Sequence, residues 1–102
     1  MSIKHLNKND FDLTVKDGVS LIDFYADWCG PCRAVAPNIE AVASLRPDIT
    51  VGKINVDREP DLAHRFGIFS IPTIIVIKDG DEVARAVGYR TEEQLNALIS
   101  EA

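Results

Sequence analysis

The chain has 102 residues, which fits one compact domain, and its apolar content of 46% is ordinary for a globular protein and too high for a disordered one. Its 11 lysines and arginines are scattered among 16 acidic residues, for a net charge of −5. This distribution argues against a nucleic-acid-binding surface, because such a surface needs clustered basic residues.

The chain also lacks a sequence signature of secretion or of membrane insertion. Its first ten residues contain no apolar run of signal-peptide length, and no stretch approaches the roughly 18 apolar residues of a membrane span. We therefore expect a cytoplasmic monomer that does not bind membranes. In a reducing compartment a single pair of cysteines is more often catalytic or metal-binding than structural.

The first half of the chain predicts helix, strand, helix and strand in turn. Asn7 is a good N-cap for a first helix that ends at Asp17-Gly18. The apolar run 19–25 predicts a buried strand, and the run 49–56 predicts a second strand parallel to it. Between them a helix is expected, with Pro31 in its first turn and Pro37 as a kink. Its apolar face consists of Val35, Ile39, Val42 and Ala43.

The second half predicts a short helix, a hairpin and a final helix. Glu59-Pro60 begins the short helix and Gly67 caps its end. The run 73–77 is almost uniformly β-branched, and Asp79-Gly80 predicts a tight turn into an antiparallel strand over 82–87. Thr91 with Gln94 forms the pattern of a capping box. Together these elements predict an α/β domain with a mixed sheet covered by helices on both faces.

Cys29 and Cys32 are separated by two residues at the predicted strand-to-helix junction. The helix dipole and the free backbone N–H groups of the first turn favour the thiolate of Cys29. Cys32 lies one turn further into the helix and should be less exposed, so that it acts only after Cys29 has reacted. Because the spacing brings the two sulfurs within bonding distance, the pattern indicates a redox-active pair.

Three other interpretations of the cysteine pair compete with redox activity. A structural disulfide would close a very small loop and constrain the unfolded chain only weakly. A zinc site needs about four ligands, and the two histidines, His5 and His64, show no metal-ligand spacing. Two buried cysteines without a chemical role are disfavoured by the neighbouring Trp28 and by the Gly-Pro pair between them.

Five further residues each allow two interpretations from residue type alone. Asp23 interrupts an apolar strand, either as a solvent-facing residue or as a buried carboxyl whose raised pKa suits a general base. Lys53 could be an exposed strand lysine, and Pro72 an ordinary turn residue. Trp28 and Val87 could be core residues or parts of a binding surface.

The run Asp23–Cys32 resembles the active-site signature of the thioredoxin family, and Arg33 with Ala36-Pro37 continues it. Further similar segments follow in the family's order and extend over nearly the whole chain; they are Lys53–Asp57, Phe66–Ile68, Ser70–Thr73, Lys78–Gly80 and Val87-Gly88. Spaced matches of this kind are more specific than Cys-x-x-Cys alone. The chain departs from the family at Tyr25, where Trp is commonest, and at Ser70, where Gly is frequent.

The resemblance implies a thioredoxin fold over residues 1–102, with a mixed, mostly five-stranded central β-sheet flanked by about four α-helices. It implies a protein-disulfide reductase in which Cys29 is the attacking nucleophile and Cys32 the resolving thiol. Asp23 would be the buried acid that accepts the proton of Cys32, and Lys53 the cation beside that acid. Substrates would bind a face in which Pro72 is cis; this face consists of Trp28, Gly30, Pro31, Ile71, Pro72, Val87 and Gly88.

The implied partners are disulfide-containing proteins and a thioredoxin reductase as electron donor. The sequence has no Gly-rich dinucleotide fingerprint, so we expect no flavin, nicotinamide or metal cofactor in this chain. Gly-Pro between the cysteines matches the reducing members of the family, whereas a His in that gap is typical of its oxidases and isomerases. A thiol oxidase or disulfide isomerase of the same fold, and a non-catalytic module that binds partners in either redox state, remain as alternatives.

Overall fold

Five strands and four helices are arranged along residues 3–102, the part of the chain that the computed structural model describes. The strands are β1 (Ile3–His5), β2 (Val19–Tyr25), β3 (Thr50–Asn55), β4 (Thr73–Lys78) and β5 (Asp81–Val87). The helices are α1 (Phe11–Thr14), α2 (Gly30–Leu45), α3 (Pro60–Arg65) and α4 (Glu92–Ile99). This mixed five-stranded sheet with helices confirms the predicted fold class.

The strands form one sheet in the order β1-β3-β2-β4-β5, with β2 at its centre. β3 runs parallel to both β1 and β2, which confirms the predicted strand–helix–strand unit. β4 runs antiparallel to both β2 and β5. The predicted tight turn joins β4 to β5, and its residues Asp79 and Gly80 have φ angles of 50° and 89°. Positive φ at both positions is what the twist of a two-residue hairpin requires.

The core is divided between the two faces of the sheet. On one face, Leu21 of β2 packs with the apolar residues of α2 and α4. On the other, Ile22 and Phe24 pack with residues from the α1 and α3 regions. Because successive side chains of a strand point to opposite faces, Asp23 shares the face of Leu21 and is covered by α2.

The buried face predicted for α2 and the capping box predicted for α4 are both confirmed. In α2 the four residues expected to be buried, Val35, Ile39, Val42 and Ala43, are all buried, and Pro37 lies inside the helix. In α4 the predicted capping box is present: Thr91 Oγ1 accepts from the N–H of Gln94 at 3.1 Å, and Gln94 Oε1 accepts from the N–H of Thr91 at 2.9 Å.

The predicted structure of the N-terminal segment was wrong in two respects: a strand was missed, and the first helix is shorter than expected. β1 was not predicted, because three residues are too few to show an alternating pattern. Asn7 does close a turn, since its Oδ1 accepts from the N–H groups of Asn9 and Asp10, and the Asp10 carboxylate accepts from the N–H of Asn7. The regular helix, however, begins only at Phe11 and ends after one turn, well before the predicted end at Asp17-Gly18.

Replacing Thr91 by Ala should lower the free energy of unfolding by about 1 kcal/mol, because the N–H of Gln94 loses its acceptor at the start of α4. Urea denaturation of the parent and the variant measures this difference. Thr91→Ser keeps the hydroxyl group and should retain most of the stability. Equal losses in the Ala and Ser variants would show that the hydroxyl group does not act as a cap.

Candidate active site

A disulfide joins Cys29 and Cys32 across the first turn of α2, with the two Cα atoms 5.2 Å apart. Cys29 is the N-cap of the helix, and its sulfur accepts a hydrogen bond from the backbone N–H of Cys32 at 3.2 Å. Gly30 and Pro31 occupy the exposed first two positions of the helix between them. When the disulfide is reduced, this N–H group and the helix dipole both favour a thiolate on Cys29.

The two cysteines hardly differ in exposure. In this disulfide form Cys29 is 4% and Cys32 3% exposed, so the predicted difference has the expected direction but is very small. Both side chains pack with Ala26, and Tyr25 and Ile71 contact the same cluster. The two sulfurs therefore differ in their positions in the helix rather than in their exposure.

The loop before β4 lies against the cysteine pair. The Ile71–Pro72 peptide bond is cis, as the family resemblance implied. The carbonyl oxygen of Ile71 lies 3.7 Å from Cys29 Sγ, and the carbonyl oxygen of Pro72 accepts from the N–H of Gly88 at 2.8 Å. These contacts bring Ile71, Pro72 and the Val87-Gly88 turn together beside Cys29.

The residues expected to form the binding face are mostly apolar but differ in exposure. Trp28 is 68% exposed and Val87 is 49% exposed, so neither is a core residue. Ile71 and Gly88 are half-buried, and Pro72 is buried within the loop. Phe69, which the sequence analysis did not single out, is 98% exposed on the same loop as Ile71. The sequence did contain a signal for Phe69: it is an apolar residue that directly precedes Ser-Ile-Pro and belongs to no amphipathic element.

A second residue missed in the sequence is Asp57. Its Oδ2 accepts a hydrogen bond from Trp28 Nε1 at 2.8 Å, which fixes the indole ring beside Cys29. Asp57 follows the carboxyl end of β3, and Trp28 follows the carboxyl end of the parallel strand β2. Because parallel strands end at the same edge of a sheet, the predicted topology already placed these two residues near each other.

Asp23 is completely buried, which settles its two interpretations in favour of the buried carboxyl. Neither of its carboxylate oxygens accepts a hydrogen bond from any residue in the range 3–102. Burial raises the pKa of Asp23 from its ordinary 3.8 to about 6, and the positive charge of Lys53 offsets part of that rise. Lys53 is half-buried on β3, where its Cα stands opposite that of Asp23 in the register of the two strands.

The described residues contain neither a cluster suited to a metal ion nor a helix suited to a membrane. Over residues 3–102, no group of three or more histidine, cysteine and acidic side chains is placed to hold a metal ion. Within the same range no helix has both the length and the apolar character needed to span a membrane.

Comparisons with known proteins agree with this geometry. The sequence model of the thioredoxin family matches residues 2–101. The chain is 44% identical to thioredoxin of Chlamydia pneumoniae over 98 residues, 96% of each chain, and 40% identical to thioredoxin of Staphylococcus saprophyticus over 100 residues, 97% of this chain and 96% of the relative. The solved structure of a single-site mutant of thioredoxin from Halobacterium salinarum superposes with a TM-score of 0.90 at 36% identity, covering 97% of this chain and 88% of that one. The chain therefore belongs to the thioredoxin family and is a thiol–disulfide oxidoreductase.

Proposed function

We propose that this protein is a protein-disulfide reductase, a single domain over residues 1–102 that works in the cytoplasm as a monomer. Its substrates are disulfide-containing proteins, and a thioredoxin reductase supplies its electrons. The observation that carries the proposal is the position of Cys29, which is the N-cap of α2 and whose sulfur accepts the N–H of Cys32. This position stabilises the thiolate that must attack first.

In the first step the Cys29 thiolate attacks one sulfur of the substrate disulfide. A bond forms between Cys29 Sγ and that sulfur, the substrate S–S bond breaks, and the other substrate sulfur leaves as a thiolate. The product of this step is a mixed disulfide between the substrate and Cys29.

In the second step Cys32 resolves the mixed disulfide. Its thiol proton passes to the Asp23 carboxylate, directly or through a water molecule, and the Cys32 thiolate attacks Cys29 Sγ. The substrate's second sulfur leaves, so that the substrate gains two electrons and the Cys29–Cys32 disulfide is formed. A pKa of about 6 suits Asp23 to this role, because an efficient general base has a pKa near the working pH.

The substrate would bind on the exposed apolar face around Cys29. Trp28 and Val87 form two of its sides, and Ile71 lies next to the attacking sulfur. Gly30, Pro31, Pro72 and Gly88 complete the set expected from the family, and we add Phe69 because of its exposure on the same loop. A face with few polar groups suits extended segments of many sequences, because shape and backbone contacts then provide most of the binding.

Replacing Cys32 by Ser should trap the mixed disulfide, because the resolving sulfur is absent while Cys29 can still attack. We expect a covalent adduct on Cys29 with a disulfide-containing protein such as insulin, detected by non-reducing electrophoresis and mass spectrometry. The matched control, Cys29→Ser, should trap no substrate. Adducts that form through Cys32 instead would reverse the two assigned roles.

The reduction potential of the Cys29–Cys32 pair should lie near −270 mV, as expected for a reductase, and not above about −200 mV, where isomerases and oxidases lie. The Gly-Pro pair between the cysteines supports the lower value. Equilibration with glutathione buffers of known ratio, followed by alkylation of free thiols, measures the potential. A value near −120 mV would instead identify a thiol oxidase.

The buried carboxyl of Asp23 should make the stability of the protein depend on pH. Its pKa in the folded state, about 6, lies above its ordinary value of 3.8. Between these pH values the folded state therefore holds a proton that the unfolded state has released, and stability falls as the pH rises through this range. A shift of about two units corresponds to about 3 kcal/mol.

Replacing Asp23 by Asn removes this titration. The stability of Asp23→Asn relative to the parent should therefore increase by about 2.5 kcal/mol between pH 4 and pH 7, because the unfolded carboxyl is already partly ionised at pH 4. Urea denaturation at several pH values measures the difference, and Asp17→Asn, which changes an exposed carboxylate, is the control. A difference that does not vary with pH would show that the folded protein does not hold Asp23 protonated in this range.

A further inference from the structure

The ammonium group of Lys53 lies over an aromatic ring rather than on the carboxylate that it faces. Lys53 Nζ is 4.5 Å from the centroid of the Tyr25 ring. Lys53 and Asp23 are nevertheless direct partners in the register of β2 and β3. The two side chains form no ion pair, and neither oxygen of Asp23 accepts a hydrogen bond from a described residue. Lys53 therefore acts on Asp23 through its charge alone.

The sheet geometry explains this arrangement. Asp23 and Tyr25 are two residues apart on β2, so their side chains point to the same face of the sheet. Lys53 stands opposite Asp23 and diagonal to Tyr25, within reach of a long side chain. An aromatic face attracts a cation without offering it a hydrogen-bond acceptor. The ring can therefore fix the position of the ammonium group without a salt bridge.

We propose that Tyr25 is a positioning residue: its ring holds the Lys53 ammonium beside the Asp23 carboxylate while leaving both carboxylate oxygens free. This inference rests on the proposed function, in which Asp23 must accept the proton of Cys32. A salt bridge to Lys53 would take up part of the capacity of these oxygens to accept the proton and would favour the ionised carboxylate. A lysine that moved into solvent would leave the buried charge of Asp23 without its electrostatic partner.

Other charged groups near this pair line two pockets that Lys53 and Tyr25 also line. His5 of β1 is the cross-strand neighbour of Lys53, and with Arg58 and Glu59 it lines a pocket of about 190 Å³. Asp27 and Arg33 line a second pocket, of about 220 Å³, together with Cys32. Tyr25 and Lys53 line both pockets.

The remaining elements around Asp23 present apolar groups. β4 places Ile74 opposite Asp23, and α2 contributes the buried side chains of Val35 and Ile39 to this face. Lys53 is the charged group whose electrostatic effect on the pKa of Asp23 is resolved. Any change in the position of its ammonium group should therefore be measurable at Asp23.

Removing the ring should release Lys53 into water. A lysine ammonium is strongly hydrated and sits on a flexible stem, and both neighbouring pockets are open to solvent. Its mean distance from Asp23 should then increase, and the pKa of Asp23 should rise. Coulomb attraction weakens with distance, and Lys53 offsets only part of the effect of burial on this pKa, so the expected rise is about half a pH unit.

The test is a double-mutant cycle read from the pKa of Asp23, measured by NMR titration of its carboxyl carbon in the reduced full-length protein. Tyr25→Leu should raise this pKa in the parent background and leave it unchanged in the Lys53→Met background. Tyr25→Phe keeps the ring and should leave it unchanged. If Tyr25→Leu has no effect, or shifts the pKa equally in both backgrounds, then Tyr25 does not act through Lys53 and the proposal is wrong.

A second measurement separates this proposal from the proposed function. The rate at which Cys32 releases a small thiol from a mixed disulfide on Cys29 is measured against pH in the same variants. A rate profile that moves with the pKa of Asp23 in Tyr25→Leu supports the positioning role. If the cycle shows coupling but the rate profile stays fixed, the positioning by Tyr25 stands and the role of Asp23 as the base is wrong.

Discussion

The position of β2 at the centre of the sheet is the constraint on which the active site depends. Hydrogen-bonded neighbours on both edges and helices on both faces hold this strand, so its side chains and its carboxyl end have fixed positions. Asp23 and Tyr25 lie on the strand itself, and Cys29 follows it at the start of α2. A central strand that leads into a helix N-terminus thus fixes the positions of both the proposed proton acceptor and the proposed nucleophile. The neighbouring β3 and β4 add Lys53 and the Ile71–Pro72 loop.

Stability and chemistry make opposite demands at Asp23. A buried carboxylate without hydrogen-bond donors destabilises the folded state at neutral pH, and an apolar residue at this position would remove that cost. The same desolvation brings the pKa of the group to about 6, where it can accept and release a proton under working conditions. The well-packed core on both faces of the sheet offsets the destabilising effect of the buried carboxylate. The charge of Lys53 reduces the free-energy cost of burying the ionised carboxylate without forming an ion pair with it.

Sequence reasoning was strongest where a pattern extended over a whole element. β2 matched its predicted range, because a strand buried on both faces is a continuous apolar run, and α2 buried its four predicted residues. The three residues of β1 were too few for any pattern. Contacts between side chains from different elements were also missed. Strand register places Lys53 opposite Asp23 but does not show that its ammonium group turns towards Tyr25. The hydrogen bond from Trp28 to Asp57 depends on the conformations of two loops, which no sequence pattern specifies. Exposure of the cysteines depends on the packing around the disulfide, which the motif does not specify.

The two edges of the sheet have a consequence for how the protein behaves among unfolded chains. A free strand edge offers unpaired backbone groups to any extended segment and can seed aggregation. Here one edge, β1, is only three residues long. The other, β5, carries the exposed charges of Asp81, Glu82 and Arg85, and its pairing with β4 shifts register so that Val83 has no partner. Short, charged and irregular edges pair poorly with other chains. A protein with the function proposed above, which binds extended segments at its cysteine pair, is thereby protected from adding them to its own sheet.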